Sequence, residues 1–338
     1  MYVMRINIIN ISPEHSAIWK VAYYLFLELK KDKVVNVSFI DLWKTKKVSH
    51  NNILRGLQLL FGINLGLSKK DINFYSTPLL SNTMMKNNSK KNIMFIHDLH
   101  PLLYLKDSLY WLCKWAYPKS RNADLLICNS TSTKKEYIKE FNCTEKIVVN
   151  HLGIDNIYFK YEKFKKNRKL TFISIGRDEP RKNLKFMLQI LKSLNMDFEL
   201  YRVGSFDKLN YKFIKDNNLT NKIKVFNNIS EKKLIELYSK SHILLFPSTY
   251  EGFGIPPIES MACGCIPLVA NKTSLPEVVM NKNMILDLNV DLWVKTIKSI
   301  YSNKSFRERL MNFSFNRAKR FSLINHKKRF LKILKNIN

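Results

Sequence analysis

Leu244-Leu245-Phe246-Pro247-Ser248-Thr249-Tyr250-Glu251-Gly252-Phe253-Gly254-Ile255-Pro256-Pro257-Ile258-Glu259-Ser260-Met261-Ala262-Cys263-Gly264-Cys265-Ile266-Pro267-Leu268-Val269-Ala270 is the stretch that decides the fold. It reads as a short buried strand (Ile243 to Phe246), a turn-rich loop holding Gly252 and Gly254, a helix opening near Pro257 and running to Ala262, and a second apolar strand, Ile266 to Ala270. Two glycines feeding a helix N-terminus let the backbone approach a ligand closely and aim N–H groups and the positive end of the helix dipole at it, which suits phosphate. Glu251 sits on the loop and Glu259 within the first turns of the helix, so both carboxylates can face one crevice. Acidic acceptors beside an anion-binding amide cluster suit a ligand with hydroxyls as well as phosphate, such as a nucleotide sugar.

Working outward, the chain of 338 residues exceeds one ordinary core, so two domains are expected. Strand, helix, strand recurs from the start: residues 5 to 11, helical spacing from Ala17 to Leu29, then Val34 to Leu42 alternating as a strand. That order argues a parallel sheet with right-handed crossovers. Further strands are expected at Asn92 to Ile96, Asp124 to Asn129, Lys146 to Asn150, Leu170 to Ile175, Phe198 to Val203 and Ile223 to Phe226. Thr133-x-x-Glu136 and Ser274-x-x-Glu277 read as capping boxes, and Ser230-Glu231 as a capped helix start. The run 160–169, with six basic residues and one acid, is placed at the domain boundary.

The formal charge of +30 predicts attraction to polyanions: nucleic acid, an anionic membrane face or phosphorylated substrates. A Lys/Asn-rich bias explains much of it, and no nucleic-acid recognition motif is present. No run of 18 apolar residues and no signal peptide is read, which places the protein in the cytoplasm. Five cysteines, odd in number and set in apolar segments, fit reduced thiols. Cys263-Gly-Cys265 and His97-Asp-Leu-His100 lack the spacing of a structural zinc site, and no metal is expected.

Three stretches leave a membrane contact open. Ile53 to Leu67 is apolar and too short to cross a bilayer; it is read as a helix covering the core or leaning on a membrane. Leu102 to Tyr117 is dense in aromatics, which at helical spacing are more often core than acceptor-binding or interfacial rings. From Arg309 to Asn338, nine basic residues and no acid interleave with apolar ones. This amphipathic helix suits either packing with a wet basic face or an anionic bilayer surface.

Embedded in P-S-x-x-E-G-F-G-I-P-x-x-E-x-M-A-x-G-x-P, the pair Glu251 and Glu259 resembles the E-x7-E signature of the retaining glycosyltransferases of family 4. The resemblance extends to His97-Asp98-Leu99-His100-Pro101, to Gly153-Ile154-Asp155, to Gly176-Arg177-Asp178-Glu179-Pro180-Arg181-Lys182-Asn183 and to Ser274-Leu275-Pro276-Glu277. It is dense from His97 to Glu277 and patchy before residue 90; Ser12-Pro13-Glu14-His15-Ser16 has no glycine where the family carries a glycine-rich loop. The resemblance implies an α/β GT-B fold of two Rossmann-like doubly wound domains facing a central cleft. Residues 1–160 would be the acceptor side, with a C-terminal helix at about 315–338 packing back on it, and 168–312 would bind the nucleotide sugar. It further implies a hexosyltransferase moving sugar from a UDP- or GDP-sugar to a glycan or lipid-linked acceptor with retention, without cofactor or metal, and with peripheral contact at the inner membrane face as an open possibility.

By the same resemblance Arg177 and Lys182 grip the leaving diphosphate, His97 contacts the sugar near the reacting carbon, and Glu251 and Glu259 accept from sugar and ribose hydroxyls. Gly176, Gly252, Phe253, Gly254 and Ile255 complete the donor contacts. Two cations at a helix N-terminus can neutralise a diphosphate without a divalent ion, and no Asp-x-Asp metal signature occurs. Arg181 is read as a surface residue and Glu277 as a cap. A hexose-nucleotide epimerase of similar fold and a basic nucleic-acid-binding protein are the alternatives.

Overall fold

In the computed structural model, all residues are described except 1–3, 15, 46–48, 50, 88, 145, 161–165 and 337–338; the side chains of residues 52 and 53 are also left aside. The chain forms two compact units, residues 1–153 with 323–338, and 154–322. The division falls at Gly153 and Ile154, ahead of the charged run 160–169, part of which lies outside the described residues. A Cβ on Gly153 would sit 2.9 Å from the His326 Cβ and 3.0 Å from the Leu323 Cα, so a side chain there would push the returning C-terminal segment away.

The first unit holds six parallel strands in the order β2-β1-β3-β4-β5-β6, with β1 Met4–Asn10, β2 Val35–Asp41, β3 Ile72–Tyr75, β4 Lys91–Ile96, β5 Leu125–Cys128 and β6 Ile147–Val149. β3 is absent from the sequence reading. Its four residues are all buried, but the run is interrupted by Asn73, which accepts a hydrogen bond from the Asn7 amide at 3.0 Å inside the sheet.

The second unit repeats the construction with β7 Leu170–Ile175, β8 Phe198–Val203, β9 Ile223–Phe226, β10 Ile243–Phe246, β11 Ile266–Ala270 and β12 Ile285–Leu286, ordered β12-β11-β10-β7-β8-β9. Continuous apolar runs such as Ile243–Phe246, buried throughout, are what a parallel sheet covered on both faces requires. Sequence order reverses between β1 and β3 in one sheet and between β7 and β10 in the other. These are the switch points at whose carboxyl ends open α/β sheets bind ligands.

The basic tail is two helices rather than one: Lys304–Ala318 in the second unit and Leu323–Lys335 in the first. Leu323, Phe330 and Leu334 are buried, and the Phe330 ring meets Phe74 of β3 edge-on at 5.4 Å between centroids. The apolar face of the last helix is therefore consumed by the core of the first unit, with Lys328, Lys332 and Lys335 exposed and Lys327 3.7 Å from Asp32.

The aromatic segment behaves otherwise. Tyr117, Cys113 and Ala116 are core, whereas Tyr104, Trp111 and Trp115 are exposed, against the expectation from their spacing. The apolar run after Ile53 also splits: a helix, Asn52–Phe61, ends where Gly62 takes φ 75°, and Ile63 and Leu65 continue into the core without helical structure.

Both proposed capping boxes are corrected. Ser130 caps the helix Thr131–Phe141, its Oγ accepting from the Thr133 amide at 3.0 Å, so Thr133 lies inside the first turn. Ser274 makes no cap bond to the helix Leu275–Val279; its hydroxyl is used elsewhere, as described below. Ser230 does cap Glu231–Lys240.

Candidate functional site

The loops leaving β7 and β10 meet at the switch point of the second sheet. The β10 loop reaches Gly254, whose φ of 107° turns the chain into the helix Ile255–Ala262, two residues earlier than the sequence reading. A Cβ there would meet Leu275 Cδ2 at 3.0 Å, so the turn depends on glycine for both conformation and space. Because Pro256 and Pro257 have no N–H, the amides with which this helix opens toward a ligand are those of Gly254 and Ile255.

Glu251 is 9% exposed and is the centre of the charge cluster. Its Oε1 accepts from Lys182 Nζ at 2.5 Å, and Oε2 lies 3.3 Å from Arg181 Nη1. Arg181 Nη2 also pairs with Glu179 at 2.7 Å. Arg181 is thus a half-buried partner of the site and not the surface residue expected. The two loops are latched by backbone as well: the Thr249 amide donates to the Arg181 carbonyl at 2.8 Å. Lys182 further lies over the Phe246 ring, 4.9 Å from its centroid.

The Glu251 loop is held from behind by residues the sequence reading did not single out for it. The Glu251 amide donates to Thr273 Oγ1 at 3.0 Å, and the Ser274 hydroxyl lies 2.9 Å from the Glu251 carbonyl and 2.8 Å from that of Phe253. Phe253 is buried against Phe321, ring centroids 5.7 Å apart. Gly252 and Phe253 therefore form a packed loop wall, and Ile255 is half-buried at the helix start.

Arg177 stands exposed on the β7 loop. Beneath that loop lies Arg202, fully buried in β8, whose Nη2 donates to the Gly176 carbonyl at 2.6 Å and to Ser205 O at 3.1 Å. Burial lowers the Arg202 pKa to about 10, with Asp178 opposing the shift. Gly176 at φ 124° and Gly204 at φ 119° run so close that a Cβ on Gly204 would lie 2.3 Å from the Gly176 carbonyl oxygen. An arginine inside a buried parallel strand was the signal available in the sequence for this support.

Glu259, half-buried on the same helix, accepts from the Tyr238 hydroxyl at 3.0 Å. Burial first, and Glu259 second, push the Tyr238 phenol well above its ordinary range, so it stays a donor. Cys263 and Cys265 are buried free thiols; burial raises Cys265 to about 12. Among the described residues, no group of three His, Cys, Asp or Glu side chains is disposed to hold a metal.

His97 belongs to the first unit, just past the carboxyl end of β4. Its Nε2–H donates to the Ser76 carbonyl at 3.0 Å, which leaves Nδ1 as the acceptor nitrogen. Burial lowers its pKa to about 4, the Ser76 bond opposing, so the ring is neutral near pH 7. His15 of the first loop lies outside the described residues.

Residues 156–317 match the family Glycosyl transferases group 1, and residues 44–152 match the Glucosyltransferase 3-like N-terminal domain. The chain is 27% identical over 264 residues to O-antigen chain mannosyltransferase B of Escherichia coli, covering 71% of this chain and 69% of that one. It is 25% identical over 322 residues to the N-acetylgalactosamine-N,N'-diacetylbacillosaminyl-diphospho-undecaprenol 4-alpha-N-acetylgalactosaminyltransferase of Campylobacter jejuni, covering 87% and 86%. In fold it is similar to HepE of Anabaena, solved with UDP, at a TM-score of 0.76 and 13% identity over 98% of this chain and all of that one. The chain is a GT-B glycosyltransferase. It belongs with the group 1, family 4 enzymes, and these findings favour glycosyl transfer over the epimerase and nucleic-acid alternatives.

Proposed function

We propose that the chain moves a hexose from a UDP- or GDP-sugar to a glycan or lipid-linked acceptor, with retention of anomeric configuration and without a divalent ion. The observation that carries this reading is the convergence, at the β7 and β10 switch point, of Lys182, Arg181 and Glu251 with the opening of the helix Ile255–Ala262. The donor diphosphate is assigned to Arg177, Lys182 and the Gly254 and Ile255 amides, where cations and a helix N-terminus stabilise the charge that grows on the leaving group. Glu259 is assigned to the ribose hydroxyls, Glu251 to a sugar hydroxyl and Gly176 to close approach of the phosphate. The resemblance alone assigns His97 to the sugar near its reacting carbon; its neutral ring and acceptor Nδ1 suit a hydroxyl there.

Two routes give retention: a covalent glycosyl–enzyme intermediate on Glu251, or front-face transfer in which the departing phosphate oxygen helps deprotonate the acceptor. Glu251 has both carboxylate oxygens engaged by cations, which lowers its nucleophilicity and supports the second route. The similar proteins pull the donor in two directions, towards UDP for HepE and mannose for the O-antigen enzyme, so both nucleotides belong in the test.

That test is a thermal-shift panel of UDP- and GDP-sugars, because a ligand binding only the folded chain raises its melting point in proportion to affinity. A shift with one nucleotide series, and donor consumption that requires an acceptor, is expected. No shift with any nucleotide sugar, or conversion of donor alone into its epimer, overturns the assignment.

A further inference from the structure

We propose that Asn10, Ser76 and Asn129 are positioning residues for His97, joined to it in one directed row of hydrogen bonds along the carboxyl edge of the first sheet. What the row does for catalysis rests on the assignment of His97 to the donor sugar; the row itself does not. Four neighbouring strands, β1, β3, β4 and β5, each deliver a polar residue to this edge: Asn10 closes β1, and Ser76, His97 and Asn129 directly follow β3, β4 and β5. The positions that follow β7 and β8 in the second sheet are Gly176 and Gly204, so the edge of an open α/β sheet does not itself demand such side chains. Asn10, Ser76 and Asn129 are 0%, 1% and 3% exposed, and polar groups this deep are costly unless hydrogen-bonded.

Each bond in the row ends on a carbonyl oxygen, which can only accept, and this fixes its direction. The Asn10 amide donates to the Ser12 carbonyl at 2.9 Å, which leaves Asn10 Oδ1 to accept from the Ser76 hydroxyl at 3.1 Å. The Ser76 carbonyl accepts from His97 Nε2–H at 3.0 Å, and the His97 carbonyl accepts from the Asn129 amide at 2.6 Å. Ser76 is held to β1 a second time by its own amide, which donates to the Ile9 carbonyl at 3.0 Å. His97 is therefore held by both ring and backbone, and only the tautomer with its proton on Nε2 fits. Asn129 keeps its bond although its Oδ1 is buried with no partner among the described residues, the kind of unmet polar atom that calls for a task beyond packing. At the other end, Ser12 belongs to the glycine-free loop after β1. With Ile11 and Pro13 it lines an apolar groove of about 740 Å³ that Trp43, Trp111 and Trp115 also line. The row thus fixes how that loop leaves the sheet and ties a wall of the groove to the imidazole.

The test is nitrogen NMR at pH 7 of the full chain carrying isotopically labelled histidine, which separates protonated from bare ring nitrogens and needs no ligand. The His97 signals are identified by their loss in His97→Gln. Wild type should show His97 with its proton on Nε2. His326, whose Nδ1–H donates to the His151 carbonyl at 2.7 Å, should show the opposite tautomer and is the internal control for folding. Ser76→Ala and Asn129→Ala cut the row on either side of the ring. In both, the His97 signals should move or divide between two tautomers while those of His326 stay. The same variants should lower kcat for release of nucleoside diphosphate from UDP-glucose or GDP-mannose by about ten-fold, with KM changed less than about two-fold, because misplacing an oriented group costs turnover more than ground-state binding. The proposal is overturned if wild-type His97 carries its proton on Nδ1, or if its signals in both variants are those of wild type. Altered His97 signals with unchanged kcat would uphold the row and overturn the assignment of His97 to the sugar.

Discussion

Two six-stranded parallel sheets, one per unit, end at their carboxyl edges in opposite chemistry. At the second sheet's switch point the loops carry Gly176, Gly204 and Gly254 at positive φ, Arg177, Arg181 and Lys182 as cations, and Glu251 as a nearly buried acid. At the first sheet's switch point, the β1 loop, Ile11-Ser12-Pro13, has no glycine and lines an apolar, tryptophan-rich groove. One scaffold therefore carries an anion-binding rim in one unit and an apolar rim in the other. The scaffold positions loops, and the side chains and turn residues of the loops decide what binds.

The largest effect that would break this contrast is at Glu251. In Glu251→Gln the shape is kept and the charge lost, and turnover in a sugar-transfer assay is expected to fall about 100-fold or more, the scale of removing a well-placed electrostatic group. Near-normal turnover would remove the acid from the mechanism.

Next in size is Gly204→Ala. The added methyl meets the Gly176 carbonyl oxygen at 2.3 Å in a left-handed backbone conformation, so the variant is expected to lose about 1–3 kcal/mol in urea unfolding and to weaken donor binding through the displaced β7 loop. Gly56→Ala, with nothing within 4 Å of its added Cβ, is the matched control in the first unit.

Arg202→Met sharpens the same point. It leaves the Gly176 and Ser205 carbonyls without their donor and is expected to cost about 1–3 kcal/mol, with KM for the donor rising more than kcat falls. An unchanged KM would make Arg202 a purely structural residue.

The smallest expected effect concerns the first unit. Burial lowers the pKa of His326 to about 4, so between that value and the unfolded 6.5 the unfolded chain binds the proton that the native chain excludes. The associated stability is present above about pH 6.5 and is lost as pH falls towards 4. His326→Gln should flatten the pH dependence of urea stability in that window by about 1 kcal/mol per pH unit. An unaltered slope would show that His326 takes up its proton without unfolding.

Much of the second unit was legible because its signals are local. Its central strands Ile243–Phe246 and Ile266–Ala270 are uninterrupted apolar runs between turn residues, and the loop glycines and charges lie close in sequence to the elements they serve. The misses arise where long-range partners decide. β3 is four residues containing a polar Asn73 whose side-chain oxygen is engaged by Asn7 of β1, and β12 is two residues long. Ser274 resembles a cap, yet the carbonyls of Glu251 and Phe253 claim its hydroxyl. Arg181 reads as solvated until Glu251, 70 positions away, is brought beside it. The exposed rings of the segment Leu102 to Tyr117 were misjudged because helical spacing reports a shared face without reporting whether that face is covered.

The central claim is that a nucleoside diphosphate is held by cationic side chains of the second unit and by no divalent ion. Titrating UDP and GDP in EDTA into wild type and into Arg177→Ala/Lys182→Ala tests it most directly. The account expects one nucleotide to bind wild type in EDTA and the double variant to bind about 100-fold more weakly, the scale of losing two charge-assisted contacts. Equal affinity of the two proteins, or binding by wild type that appears when a divalent ion is restored, would contradict it.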